Sequence, residues 1–113
     1  MHMRKLLLVC LAGALAACAA MPAPAPEPVA GNAAEGRAFA QTACSSCHAV
    51  EQGQTVSPLP AAPTFVSVAN MRGMNRRGLN AWLHSPHPSM PNLVIYDNRI
   101  DDLAAYLATL RQR

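Results

Sequence analysis

The sequence predicts an all-α domain, and three observations carry that expectation. No segment alternates polar and apolar residues with period two over any length. Helix-start signals recur ahead of apolar-rich runs: Asn32 with Glu35 three residues on, Asn75, and Asn98 with Asp101. Near the C-terminus Ile100, Leu103, Leu107 and Leu110 follow one another at helical spacings and form a single stripe.

Residues 1–17 are expected to be a leader rather than part of the fold. Arg4 and Lys5 precede an apolar run, Leu6 to Ala17, that is too short to span a bilayer as a mature helix. The stretch Leu15-Ala16-Ala17-Cys18 resembles the lipobox of bacterial lipoproteins, in which the cysteine is lipidated and becomes the first mature residue. The alternative is ordinary cleavage at a small-x-small site beside it. Cysteine is otherwise an odd residue at a cleavage site, which favours the lipoprotein. Residues 18–31 then hold an alternating Ala-Pro tract from Met21 to Pro28. Proline at every second position forbids a helix and favours extended polyproline II, so the tract reads as a semi-rigid spacer.

The folded domain is expected over residues 32–113. Its first helix, Ala33 to Ala43, is capped by Asn32 and is rich in alanine. Gly36 inside it costs about 1 kcal/mol relative to alanine, and close approach of another helix is the natural compensation. Prolines and glycines make Val50 to Pro63 a loop. A short helix starts at Thr64 and takes in Phe65, Val68 and Ala69. A third runs from the Asn75 cap to about His84, with Leu79, Trp82 and Leu83 as its apolar face. Pro86, Pro88 and Pro91 then rule out regular structure and stiffen the loop 85–92. The last helix is expected from Asn98 to about Arg111.

The first helix leads straight into Cys44-Ser45-Ser46-Cys47-His48, the most informative segment of the chain. Two cysteines separated by two residues, with histidine directly after the second, form the pattern that attaches a c-type haem. Each thiol adds to one vinyl group of the porphyrin, and one turn of backbone brings both sulfurs to the same edge. The adjacent imidazole can then ligate the iron. A C-x-x-C alone also suits a dithiol redox centre or half of a zinc site, but no second C-x-x-C or C-x-x-H pair completes the latter. Export through the leader suits covalent attachment outside the cytoplasm. A domain of about 80 residues lies near the lower limit for a self-sufficient core, so a held haem would supply apolar surface that the chain lacks. Without Arg4 and Lys5, seven arginines face six acidic residues, a balance that does not point to nucleic acid.

Taken together, residues 32–113 resemble the class I cytochromes c. Gly36 stands eight positions ahead of Cys44, where the family has the glycine at which its N- and C-terminal helices cross. Leu103-Ala104-Ala105-Tyr106-Leu107 matches the Leu-x-x-Tyr-Leu signature of the C-terminal helix. One departure is Ala40, which stands where the family often has an aromatic, with Phe39 beside it. The resemblance implies one covalent haem c, with His48 and Met90 as axial ligands of its iron. Met90-Pro91 fits the loop methionine of the family. It also implies that His48 donates its outer ring N–H to a proline carbonyl, with Pro63 the best candidate and Pro58 and Pro60 its rivals.

Several other residues have rival readings. Met71 and Met74 come too early for the family position and read as core filling. His84 and His87 read as solvated. Trp82 and Tyr106 each have two readings, a polar tip aimed at a haem propionate or plain packing. Arg72, Arg76 and Arg77 form a basic cluster that is either a solvated face or a docking patch for an acidic redox partner. The expected function is that of a periplasmic, membrane-tethered electron carrier, not an enzyme, that exchanges electrons with periplasmic or membrane redox proteins. The alternatives are a haem subunit of a larger dehydrogenase or oxidase, and an open-site haem enzyme or sensor.

Overall fold

The computed structural model describes residues 30–86 and 88–113. The leader, Cys18, the Ala-Pro tract up to residue 29, and His87 lie outside the described residues. Among those described there are four helices and no strand: α1 (Ala33–Ala43), α2 (Phe65–Ala69), α3 (Arg76–Leu83) and α4 (Asp97–Thr109). The all-α expectation holds. Helix α4 packs against each of the other three, most extensively against α1.

Helix α1 starts where its cap predicts. The Asn32 side chain accepts from the backbone N–H of Ala34 at 2.9 Å and of Glu35 at 3.4 Å. In a full capping box Glu35 would return a bond to the Asn32 N–H. Here that N–H instead donates to Asp102 Oδ1 on α4, at 2.8 Å. Glu35 turns outward, 3.6 Å from the Arg99 guanidinium. The start of α1 is thus fastened to α4 rather than to itself.

The two helices cross at Gly36. A Cβ at that position would collide with the Asp102 carbonyl and lie 2.9 Å from the Tyr106 Cβ. Ala40, one turn further on, is fully buried. An aromatic at 40 would need room that this crossing does not leave; Phe39 packs on the edge of the core instead. On the other side of the contact Ile100, Leu103, Leu107 and Leu110 are all buried, as their stripe predicts. The Tyr106 hydroxyl donates to the Val50 carbonyl at 2.7 Å, so its polar tip ties the loop after the Cys-x-x-Cys-His motif to α4. Beside it, Glu51 accepts from the Arg37 Nε at 3.0 Å and from Gln41 Nε2 at 2.7 Å. The hydrogen bond from Arg37 holds the Glu51 carboxyl below its usual range, and that from Gln41 adds to the effect.

The last helix departs from expectation at both ends. It begins at Asp97, with Tyr96 as an N-cap that makes no side-chain capping bond, and Asn98 lies inside the first turn. The reason is tertiary. Asp101, the distal half of the expected Asn-x-x-Asp cap, accepts from Arg76 Nε on α3 at 2.6 Å, and Asp97 lies 3.6 Å from the same guanidinium. Arg76 is thereby paired with acidic groups, while all three arginines of the predicted basic cluster stay exposed. At the C-terminal end the helix stops at Thr109. Arg111 folds back to donate to the Met74 carbonyl at 2.6 Å, and the Gln112 N–H donates to Asn70 Oδ1 at 2.9 Å.

The short helices follow their caps. Thr64 Oγ1 accepts from the Ser67 N–H, and Asn75 Oδ1 from the Gly78 N–H. The predicted apolar face of α3 is only partly buried: Leu79 is inside and Leu83 half-buried, but Trp82 is 54% exposed. Three residues on from Leu79, it lies at the edge of the helix's contact with the core and at the mouth of the cavity described below.

Gly36→Ala tests the crossing. The helix gains about 1 kcal/mol of intrinsic propensity, but the added methyl has to displace backbone. We expect a net loss of about 2 kcal/mol, since overpacking costs about 1–3 kcal/mol even where side chains can yield. Thermal denaturation of the haem-loaded protein should show a Tm lower by about 10 °C. An unchanged or higher Tm would mean that the helices do not need this approach.

Candidate haem-binding site

Helix α1 delivers the motif. Cys44 is its C-cap, and its N–H donates to the Ala40 carbonyl at 2.9 Å. The Cys44 carbonyl then accepts from the N–H of Cys47 at 3.2 Å and of His48 at 2.9 Å. Both thiols and the imidazole therefore leave a single closed turn. The chain next makes a wide loop and laces back onto that turn. The Leu59 N–H donates to the Cys47 carbonyl at 3.1 Å, and the Phe65 N–H to the Ala49 carbonyl at 2.8 Å. The Ala49 N–H donates to Ser57 Oγ at 3.0 Å.

This lacing places the Pro63 carbonyl 2.7 Å from His48 Nδ1. A carbonyl can only accept, so Nδ1 carries the ring proton and Nε2 keeps its lone pair. That is the tautomer a metal ligand requires, and the hydrogen bond also raises the basicity of the ligating nitrogen. The edge of the Phe65 ring packs against the imidazole, with centroids 5.6 Å apart and planes at 60°.

His48 faces a cavity of about 240 Å³. Cys44, Cys47, His48, Pro63, Trp82 and Met90 all line it. Helix α4 contributes Leu103 and Leu107, and α2 contributes Phe65 and Val68. Outside the motif the lining is overwhelmingly apolar, with Ser89 the only hydroxyl side chain. Met90 is half-buried, in a loop without regular structure. Met71 and Met74, set aside on sequence position, line the same cavity, and Met74 is buried. Exposed His84 does not line it; its Nδ1 lies 2.9 Å from the Asn80 carbonyl. Cys18 and His87 lie outside the described residues.

Sequence reasoning missed further contributors beside Met71 and Met74. Ser57, the one buried polar residue among those described, gave no local signal beyond its place before a proline. Leu93 and Ile95 line the cavity while Val94 and Tyr96 between and after them are exposed. That alternation is real but only four residues long, too short to stand out as a pattern.

The surroundings fit a covalently held haem better than the alternatives. Burial pushes the Cys44 thiol up to about 11, so it is protonated at neutral pH. A dithiol redox centre relies on the opposite shift, toward thiolate. Among the described residues there is no group of three or more His, Cys, Asp or Glu side chains that could hold a metal ion by themselves. What remains is an apolar slot edged by two thiols on one turn and an imidazole with a free Nε2. That donor set suits a flat apolar macrocycle attached at one edge and ligated through its iron.

The chain is 36% identical over 83 residues to cytochrome c-552 of Bradyrhizobium diazoefficiens, an alignment that takes in 74% of this chain and 79% of that protein. No protein-family model matches the chain, and no solved structure matches it.

If Cys44 and Cys47 both form thioethers, haem should stay with the polypeptide through acid-acetone extraction and denaturing electrophoresis. Cys44→Ala or Cys47→Ala should sharply lower the yield of mature holoprotein. Release of free haem from the correctly exported wild type would show that the motif does not attach it.

Proposed function

The chain belongs to the class I c-type cytochromes, and from that premise we propose that it is a periplasmic one-electron carrier with His48 and Met90 as axial ligands. Its cofactor is haem c, which supplies a one-electron ferric/ferrous couple when bound. What supports the ligand assignment is that His48, its outer nitrogen committed to Pro63, and Met90 line one apolar cavity; Met71 and Met74 line it too, and Met90 is preferred for its place with Pro91 in the loop before the last helix.

Each part of the chain then has a task. The closed turn Cys44–His48 fixes the cofactor edge and the proximal nitrogen together. The Pro63 carbonyl holds the imidazole in one tautomer and one orientation, so it need not reorient when the iron changes charge. Met90 offers a thioether, which favours the ferrous state more than a second imidazole would and so raises the potential. Prolines 86, 88 and 91 limit how far its loop can move. Phe65, Leu103 and Leu107 exclude water, which keeps the local dielectric low. With His48 and Met90 both holding the iron, oxygen or peroxide would find no open site. Outer-sphere electron transfer remains.

Electron exchange needs the cofactor close to the surface, and Leu59, Met71 and Trp82 mark where the cavity reaches it: each lines the cavity and is at least 40% exposed. Arg72 lies next to Met71 in the chain and Arg77 on α3 with Trp82, both exposed. An apolar rim with cationic neighbours suits brief contact with periplasmic or membrane redox proteins that carry acidic surfaces. No helix among the described residues is long and apolar enough to cross a membrane. We assign membrane attachment to a lipid on Cys18, with residues 18–31 as the spacer that holds the domain off the surface.

Met90→Ala is the decisive variant for the carrier reading. The oxidised wild type should show the weak far-red absorption band of methionine–ferric ligation, and the reduced protein should bind carbon monoxide slowly or not at all. Met90→Ala should abolish the band, admit carbon monoxide and lower the potential. Met71→Ala and Met74→Ala should leave the band in place and affect stability at most. Ready carbon monoxide binding by the wild type, with no effect of Met90→Ala, would favour an open-site enzyme or sensor.

The tether has its own test. The mature protein should partition with membranes and carry the added mass of acyl chains, and Cys18→Ser should remove both properties. A mature N-terminus beyond Cys18 without lipid mass would show ordinary cleavage and a soluble protein.

A further inference from the structure

We propose that Ser57 is a positioning residue for His48: its hydroxyl anchors the loop whose far end presents the Pro63 carbonyl to the imidazole. The inference rests on the reading of His48 as an iron ligand and extends it to a residue that touches neither the iron nor the cavity.

The segment Ser57-Pro58-Leu59-Pro60-Ala61-Ala62-Pro63 is poor in backbone donors, because three of its residues are prolines. It therefore has few means of fastening itself to the motif. Between Ser57 and Pro63 only two bonds to Cys47–Ala49 precede the one to His48. The Leu59 N–H donates to the Cys47 carbonyl, and Ser57 Oγ accepts from the Ala49 N–H at 3.0 Å. These two clamp the residues on either side of His48. The Ser57 bond is the one made by a side chain, and so the one a substitution can remove.

Ser57 is 6% exposed and is the buried polar residue among those described. A buried hydroxyl is costly unless it is hydrogen-bonded. Here it satisfies an Ala49 N–H that is itself buried beside the axial ligand. The prolines stiffen the intervening chain, so a shift at Ser57 is carried toward Pro63 against the two backbone bonds that remain, Leu59 N–H to the Cys47 carbonyl and Phe65 N–H to the Ala49 carbonyl. Without the hydroxyl, the Ala49 N–H loses its acceptor and the loop relaxes away from the turn. The Nδ1–H to Pro63 bond then lengthens, and Nε2 becomes a less basic ligand. Weaker donation from Nε2 stabilises ferric iron less, so the potential rises.

The test uses holoprotein carrying Ser57→Ala or Ser57→Thr, each alone and combined with Met90→Ala. Two quantities are read: the reduction potential of the single variants, and the iron–imidazole stretch of the reduced Met90→Ala forms by resonance Raman. Ser57→Ala should raise the potential and lower the stretching frequency. Ser57→Thr keeps the hydroxyl and should restore both. If Ser57→Ala does not mature, Ser57→Cys substitutes a weaker acceptor and should shift both quantities in the same directions by less. A Ser57→Ala protein that melts earlier but keeps the wild-type potential and stretch overturns the proposal, since the residue would then serve stability alone. Absence of any iron–imidazole stretch in Met90→Ala itself would instead remove the ligand reading, and the proposal with it.

Discussion

The close crossing of α1 and α4 at Gly36 is the constraint from which the rest of the structure follows. With no side chain at 36, the backbone of α1 comes against the Asp102 carbonyl, and Ala40 and Tyr106 close the contact on either side. The same approach lets Asp102 accept from the Asn32 N–H, so the helix start and the helix crossing are set together. Because Cys44 is the C-cap of α1, the crossing also fixes where the first thiol lies relative to Leu103 and Leu107 of α4. A wider crossing would move the attachment turn away from the wall it has to face.

From that point the site is assembled by backbone bonds more than by side chains. The Cys44 carbonyl closes the motif, the Cys47 and Ala49 backbone receives the returning loop, and Pro63 offers a carbonyl to His48. Tyr106 and Glu51 reinforce this from the far side, tying the residues just after the motif to α4 and α1. A small domain with a large apolar cavity has limited core of its own. Rigid lacing around the motif and a cofactor that fills the cavity are complementary answers to that shortage.

Much of this was legible in the sequence, for local reasons. Asn32 and Asn75 cap helices through bonds spanning two or three residues, and such bonds are encoded where they act. The stripe on α4 and the need for a close neighbour at Gly36 are equally local. The start of α4 was misplaced because Asp101 answers to Arg76, 25 positions away, rather than to Asn98. Trp82 falls on the predicted apolar face of α3 yet is half exposed, because a helical pattern does not reveal where a neighbouring cavity opens. The motif was plain in the candidate site, and Met90 and Pro63 came from family resemblance. Met71, Met74 and Ser57 were not foreseen as neighbours of the site, since nothing in their local spacing separates them from filling or loop residues.

The central claim is that His48 and Met90 hold the iron in both oxidation states, so that an electron is the only thing exchanged. Iron K-edge X-ray absorption of the oxidised and the reduced holoprotein measures this directly. The account predicts one sulfur and five nitrogen scatterers in each state, with the sulfur retained on reduction and only small changes in distance. Absence of the sulfur scatterer, or a coordination number that changes between the two states, would contradict it.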